Sequence, residues 1–165
     1  MVAKKAVIVV VALLVSACGY HLRGAIALPA AMKNIYLEGG SGQLRDQFKQ
    51  MVTASGGQLA NSRQGAGLVV RILNEENNRR TLSLSSRGKS NEFELYYRVE
   101  YELANEGNAM LMERQPIEIR REYYNDQEAV LAKENEEKGI RDEMYQQAAR
   151  TIVNRARVVL EAGAK

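Results

Sequence analysis

The chain has very few of the residues that catalysis and metal binding commonly use. Its 165 residues include one histidine, one cysteine, two prolines and no tryptophan. A single cysteine excludes a disulfide within the chain, and the single histidine, His21, lies too near the N-terminus to build a catalytic triad in a stable core. The sequence also lacks a glycine-rich phosphate loop of the Walker or dinucleotide type. We therefore expect no enzyme, no cofactor and no metal site.

The N-terminus has the pattern of an export signal. Lys4 and Lys5 precede an apolar run over residues 6–15, which is followed by small residues up to Cys18. A stable membrane span needs about 20 apolar residues, so this run is too short, whereas a secretory signal peptide has this organisation. The small residues that end in Cys18 resemble the lipobox of bacterial lipoproteins. That resemblance implies cleavage of residues 1–17 and acylation of Cys18, and the alternative is that Cys18 is a buried free thiol.

Removal of the signal leaves 148 residues and little net charge. The whole chain has a formal net charge of +3, which falls to +1 once Lys4 and Lys5 are removed. A balance this small does not predict nucleic-acid binding, and the length suits one domain. The sequence therefore predicts a linker at 18–33, lipidated at its first residue, followed by a single domain at 34–165.

The spacing of apolar residues distinguishes the strands of this domain from its helices. Alternation of period two is clearest at 93–103, where apolar residues alternate with charged residues and tyrosine. The other predicted strands lie at 34–38, at 68–75 with a weaker continuation to 85, and at 110–124, and the predicted helices lie at 43–54 and 125–160. Pro116 indicates an edge strand or a bulge, because proline lacks a backbone donor.

The order β-α-β-β-β-α predicts an α+β fold. A strand–helix–strand start favours a parallel crossover, and the two hairpins that follow add antiparallel neighbours. We expect a four-stranded mixed sheet with both helices packed on one face. The other face must be polar or meet a partner.

Basic residues near the turns are the best candidates for binding. Four of them surround the hairpin between the second and third predicted strands, and a fifth precedes the second helix; these are Arg79, Arg80, Arg87, Lys89 and Lys133. Such groups at one end of a sheet suit a phosphorylated ligand, and the alternative is surface solubility. The loop 39–42 before the first helix could offer backbone donors to an anion. Glu134, Glu136 and Glu137 are expected on a solvated helix face.

Several blocks of the mature chain resemble the LptE family of lipopolysaccharide-assembly lipoproteins. The first block is Cys18-Gly-Tyr-His-Leu-Arg-Gly24, and the last is Glu143-Met-Tyr-Gln-Gln-Ala-Ala149. Between them lie Leu28-Pro29, the Ser86-Arg87-Gly88 turn with the later Glu94, and Leu131-Ala-Lys-Glu-Asn-Glu136. Order and spacing are similar over the whole mature chain, and the first and last blocks are the specific ones.

The resemblance implies a function as well as a mixed sheet with two helices. Members of this family plug the lumen of the outer-membrane barrel LptD, assist its folding, and help to place lipopolysaccharide in the outer leaflet. Arg87 and Lys133 match the family's basic residues for lipopolysaccharide binding, and the absence of aspartate after Cys18 implies export to the outer membrane. The alternative is a free-standing, periplasm-facing lipoprotein that binds another envelope ligand such as cell-wall polymer.

Overall fold

A computed structural model describes residues 28–84, 88, 90–125 and 130–163. A short 3-10 helix, Ala30–Lys33, comes first. The longer elements are β1 (Asn34–Glu38), α1 (Gly42–Ala54), β2 (Gln58–Leu59), β3 (Leu68–Leu84), β4 (Ser90–Ala104), β5 (Met110–Tyr124) and α2 (Val130–Gly163). The predicted α+β class, with two helices and a mixed sheet, is confirmed. Within the described part of the chain, neither helix is long and apolar enough to span a bilayer.

The sheet has five strands rather than the four predicted, in the order β2-β1-β3-β4-β5. The extra strand, β2, is only two residues long, so it shows no alternation that a sequence pattern could detect. The parallel crossover is confirmed, since β1 pairs with β3 in parallel and α1 connects them. The hairpins β3–β4 and β4–β5 are antiparallel as predicted. Pro116 lies on the edge strand β5.

A register shift in β3 explains why its alternation weakens after Glu75. Val70 pairs with Leu103 before the shift, and Glu75 pairs with Val99 after it, with the irregularity between Ile72 and Asn74. A bulge inserts one residue and therefore reverses which side chains face the core. Polar residues of β3 then lie on the same face as the apolar residues of β4.

The core lies between the two helices and one face of the sheet. Phe48 and Val52 of α1 are fully buried there, as are Tyr97 and Tyr101 of β4 within a few per cent. The other buried members include Ile35, Leu37, Leu44, Leu68, Val70, Leu95, Val99, Leu103, Ile117, Ile119, Met144, Ala148 and Ile152. The predicted apolar faces of both helices and of β4 thus meet in one core.

The segment before β1 is packed against this core. Met32 is fully buried and Leu28 contacts the same cluster. Gly67 donates its backbone N–H to the carbonyl of Asn34 at 2.9 Å, and a Cβ there would collide with the backbone of Ala31. Glycine at 67 therefore permits the close approach that holds the segment in place.

Candidate functional site at the distal end of the sheet

The distal end of the sheet is the end where β3 finishes at Leu84 and β4 begins at Ser90. The backbone N–H of Asn125 donates to the carbonyl of Asn91 at 2.7 Å, and its side-chain amide donates to the carbonyl of Ser90 at 2.9 Å. These bonds join the exit of β5 to the start of β4, and α2 begins five residues later. Lys133 therefore lies at the distal end. Arg87 falls in the connection between β3 and β4 and outside the described residues.

Lys133 lies within the first turn of α2, inside the range 125–160 predicted for this helix and not before it. Its ammonium group donates to the carboxylate of Glu136 at 2.7 Å, and the two side chains are 21% and 45% exposed. Glu136 is the exposed partner of this i, i+3 pair, and such pairs on a helix surface contribute little stability. Lys133 can therefore exchange Glu136 for an anionic group of a ligand at small cost.

Exposed apolar side chains are concentrated at the same end. Six large hydrophobic residues of the described chain are well exposed, and four of them lie here: Leu82, Leu84, Tyr124 and Leu131. We call these four the distal rim. Leu84 is 63% exposed and Leu131 is 77% exposed. A concentration of exposed apolar residues marks a binding surface more often than isolated ones do, so the distal end offers a cation and apolar contacts together.

Glu137 holds the first turns of α2 against the sheet. Its carboxylate accepts hydrogen bonds from the hydroxyl of Tyr123 at 2.5 Å, from Arg79 at 2.8 Å and from Arg141 at 2.6 and 2.9 Å. Burial alone would raise the pKa of Glu137, but these donors outweigh it and lower the pKa to about 2. We call Glu137 and its three donors the Glu137 cluster.

The Glu137 cluster corrects the expectation of a solvated acidic face. Glu134 and Glu136 are exposed, whereas the side chain of Glu137 is only 16% exposed. The cluster lies one helical turn from Lys133 and so fixes its position. The sequence contained one indication that Glu137 differs from its neighbours: residues 133 and 137 are four positions apart and therefore share a helix face.

Arg79 and Arg80 do not form one basic patch with each other, and Lys89, like Arg87, lies outside the described residues. Arg79 faces the helices, where it pairs with Glu137 and lies 4.7 Å from the ring centroid of Phe93. Arg80 faces the other way and pairs with the buried Glu94 at 2.6 Å. Successive strand residues point to opposite faces, so the basic residues of β3 are divided between the two sides.

The loop before α1 already has an anionic partner from the chain itself. The backbone N–H and the hydroxyl of Ser41 donate to the carboxylate of Glu75 at 2.6 and 2.7 Å. The hydroxyl of Tyr97 donates to the same carboxylate at 2.9 Å. Glu75 therefore occupies the backbone N–H of Ser41, one of the donors that the sequence offered to an external anion.

The face of the sheet away from the helices carries several ion pairs. Arg71 joins Glu38 at 3.1 Å and also contacts Glu102. Arg98 joins Glu100 at 2.6 Å and Glu118 at 3.3 Å. The predicted polar face is thus largely neutralised by its own neighbours.

Comparisons with known proteins agree with this architecture. A family model for lipopolysaccharide-assembly proteins, LptE, matches residues 31–156. LPS-assembly lipoprotein LptE of Yersinia enterocolitica is 28% identical over 156 residues, which cover 93% of this chain and 74% of that protein. The corresponding protein of Pectobacterium atrosepticum is 24% identical over 148 residues, which cover 87% of this chain and 78% of that protein.

Solved structures show the same fold. Lipoprotein B from Nitrosomonas europaea superposes with a TM-score of 0.71 at 28% identity, over 88% of this chain and 94% of that one. Rare lipoprotein B from Shewanella oneidensis superposes with a TM-score of 0.63 at 26% identity, over 79% of this chain and 98% of that one. The family match extends from the segment before β1 through most of α2 and includes Lys133. The chain belongs to the LptE family of lipopolysaccharide-assembly proteins.

Proposed function

We propose that this protein is a non-enzymatic outer-membrane lipoprotein that plugs the LptD barrel and assists its assembly. In this role it binds lipopolysaccharide as the lipid enters the outer leaflet, and acylated Cys18 anchors it to the membrane. The observation that carries the proposal is the family match over residues 31–156. The distal end, with Lys133 beside exposed apolar residues, is the part of the molecule that supports ligand binding.

The distal end suits an amphiphile with phosphate groups and acyl chains. Among the described residues, Lys133 has one partner, the water-accessible Glu136, and an ammonium group binds phosphate as a point charge. Leu84 and Leu131 of the distal rim are mostly exposed, so contact with acyl chains would remove apolar surface from water. We include Arg87 in the proposed site because it matches a basic residue of the family motif.

The surface away from the helices suits a polar lumen. Barrels of the outer membrane have polar interiors. The ion pairs of Arg71 and Arg98 leave few uncompensated charges on that face. The edge strand β5 carries Pro116, which limits uncontrolled strand pairing. These features allow close contact with a hydrophilic wall.

Co-purification tests the plug. Protein solubilised in detergent from outer membranes is expected to carry a large barrel partner in equal amount, which mass spectrometry would identify as LptD. Recovery of the protein without a barrel, but with cell-wall polymer or another envelope ligand, would favour a free-standing lipoprotein.

Binding measurements test the site. Arg87→Asp and Lys133→Asp are each expected to weaken lipopolysaccharide binding by about tenfold or more, since loss of a charge-assisted contact costs about 1.5–3 kcal/mol. Lys138→Asp is the matched control, because Lys138 is exposed five residues further along α2. Unchanged binding by the first two variants would remove those residues from the site.

The anchor has its own test. Cys18→Ala is expected to abolish incorporation of labelled fatty acid while the complex with the barrel persists, because contacts inside a lumen do not require the lipid. Acylation that survives the substitution would place the anchor elsewhere.

A further inference from the structure

A groove lies at the opposite end of the domain from Lys133. It has a volume of about 140 Å³ and lies between the end of α1, the last third of α2 and the segment before β1. Its apolar lining consists of Leu28, Met51 and Val153, and its polar lining consists of Ser55, Arg150, Asn154 and Arg157. Within the part of the chain that the structure describes, the lining therefore includes two guanidinium groups and no carboxylate.

Both guanidinium groups have N–H donors without a hydrogen-bond partner among the described residues. The Nε atom of Arg157 is buried and has no hydrogen-bond partner among the described residues. The same Nε atom forms an ion pair with the carboxylate of Glu161 at 3.8 Å, which is too long for a hydrogen bond, and Glu161 is 60% exposed. Arg150 is exposed and forms no hydrogen bond or ion pair with the residues that the structure describes. A buried donor without an acceptor is costly, so the Nε–H of Arg157 favours a ligand that brings an acceptor.

The chemistry of the groove selects a phosphate group attached to an apolar body. Guanidinium groups bind phosphate oxygens through parallel hydrogen bonds. The volume exceeds that of a few water molecules, at about 30 Å³ each, and accepts a headgroup phosphate but not a whole acyl chain. The apolar lining of Leu28 and Met51 then contacts the first carbons beyond the headgroup. A free inorganic phosphate would leave that lining unused.

The position of the groove indicates the source of this ligand. Leu28 lies ten residues after Cys18, and ten extended residues reach at most about 36 Å. If Cys18 is acylated as proposed above, Leu28 and the groove stay within that distance of the bilayer. We propose that the groove binds the phosphate of an anionic phospholipid in the leaflet that holds the anchor. Such binding would orient the domain with its distal end away from that leaflet.

Short-chain lipids test this proposal on the full-length protein. Purified in a neutral detergent, the protein is titrated with dihexanoyl phosphatidylglycerol and with zwitterionic dihexanoyl phosphatidylcholine, and heat release is recorded. We expect the anionic lipid to bind at least tenfold more tightly. Replacement of both Arg150 and Arg157 by Gln should abolish the difference. Arg155→Gln is the matched control: it makes the same charge change on the same helix, at an exposed residue that lies outside the groove.

The outcomes separate the lipid from other anions and from the proposed function. Equal binding of the two lipids, or tight binding by the double variant, would overturn the proposal. Inorganic phosphate that competes as well as phosphatidylglycerol would make this a free-phosphate site and overturn the lipid assignment. If circular dichroism shows that the double variant does not fold, the two lipids are compared on the single Arg150→Gln variant instead, and the same outcomes apply. The double variant should keep wild-type binding of lipopolysaccharide, so a failure at the distal end is distinguishable from a failure here.

Discussion

The two ends of the sheet hold the same long helix by different forces. At the end of the sheet opposite the distal end, which we call the proximal end, α2 packs through Ile152 and Ala148 against a core that contains Phe48 and Leu103. At the distal end, it is held mainly by the hydrogen bonds and ion pairs of Glu137 and by the bond from Asn77 to the hydroxyl of Tyr145 at 2.6 Å. The bulge after Ile72 marks the change, because polar residues of β3 face the helix beyond it.

This difference shows that stability and ligand binding depend on different parts of the molecule. Burial of apolar area supplies most of the folding free energy, and the proximal half has most of it. The polar contacts of the distal half orient α2 without covering Leu131, which stays exposed. The distal end can therefore keep apolar and basic side chains accessible while the proximal end maintains the fold.

The largest expected effect is in the proximal core. Phe48→Ala removes a fully buried ring, and such changes cost about 3–5 kcal/mol through lost burial and the cavity left behind. Leu131→Ala at the distal rim should change the free energy of unfolding by less than about 0.5 kcal/mol, because the side chain is already exposed. Urea unfolding of both variants checks the contrast, and equal losses would contradict it.

The next effect is at the Glu137 cluster. The pKa of Glu137 is lowered from 4.5 to about 2, which corresponds to at most about 3 kcal/mol of the free energy of unfolding. Glu137→Gln should therefore destabilise the protein by about 1–3 kcal/mol. This contribution is complete above pH 4.5, the unfolded value, and is lost as the pH falls towards 2. Unfolding measured between pH 7 and pH 2 should therefore show a steeper loss in the wild type than in Glu137→Gln.

The control for this substitution is Glu134→Gln, which makes the same chemical change at an exposed residue of the same helix. It should follow the wild type at every pH. A Glu137 variant that does the same would show that the distal end is held by something other than this carboxylate.

Sequence patterns predicted the regular parts of the fold well. Strict alternation located β4, and helical spacing located the buried Met144, Ala148 and Ile152, because apolar burial repeats with the period of the element. Residues 110–124 were predicted as the strand that the structure contains. The sheet order followed from short hairpins and a helical crossover.

Features that depend on register or on distant contacts could not be predicted in this way. The bulge after Ile72 changes which face each later residue of β3 occupies, and no local pattern shows it. Glu137 resembles Glu134 and Glu136 in sequence, and only its contacts with Tyr123 and Arg79 distinguish it. The groove at Arg157 joins three segments that lie far apart in the chain.

A smaller effect is expected at the boundary between the two halves. Tyr97→Phe removes the hydroxyl that donates to Glu75 but keeps the ring, which packs edge-on against Tyr145 at 4.9 Å. Glu75 retains its two bonds from Ser41, so the loss should be about 1 kcal/mol. Thermal unfolding checks this. A loss of stability as large as that of Phe48→Ala would show that the Tyr97 hydroxyl contributes as much as a buried core side chain.

The smallest effect is expected on the face away from the helices. Arg98 and Glu118 lie 3.3 Å apart with 35% and 41% of their side chains exposed, so a double-mutant cycle should give a coupling of about 0.2–1 kcal/mol. Salt at about 1 M should reduce it further, since the screening length then falls to about 3 Å. The same cycle between Arg79 and Glu137, at 2.8 Å with Glu137 mostly buried, should give a larger coupling that salt changes less. If both pairs show the same coupling and the same salt dependence, burial does not distinguish the Glu137 cluster from ordinary surface pairs, and the polar attachment of α2 at the distal end is weaker than we infer.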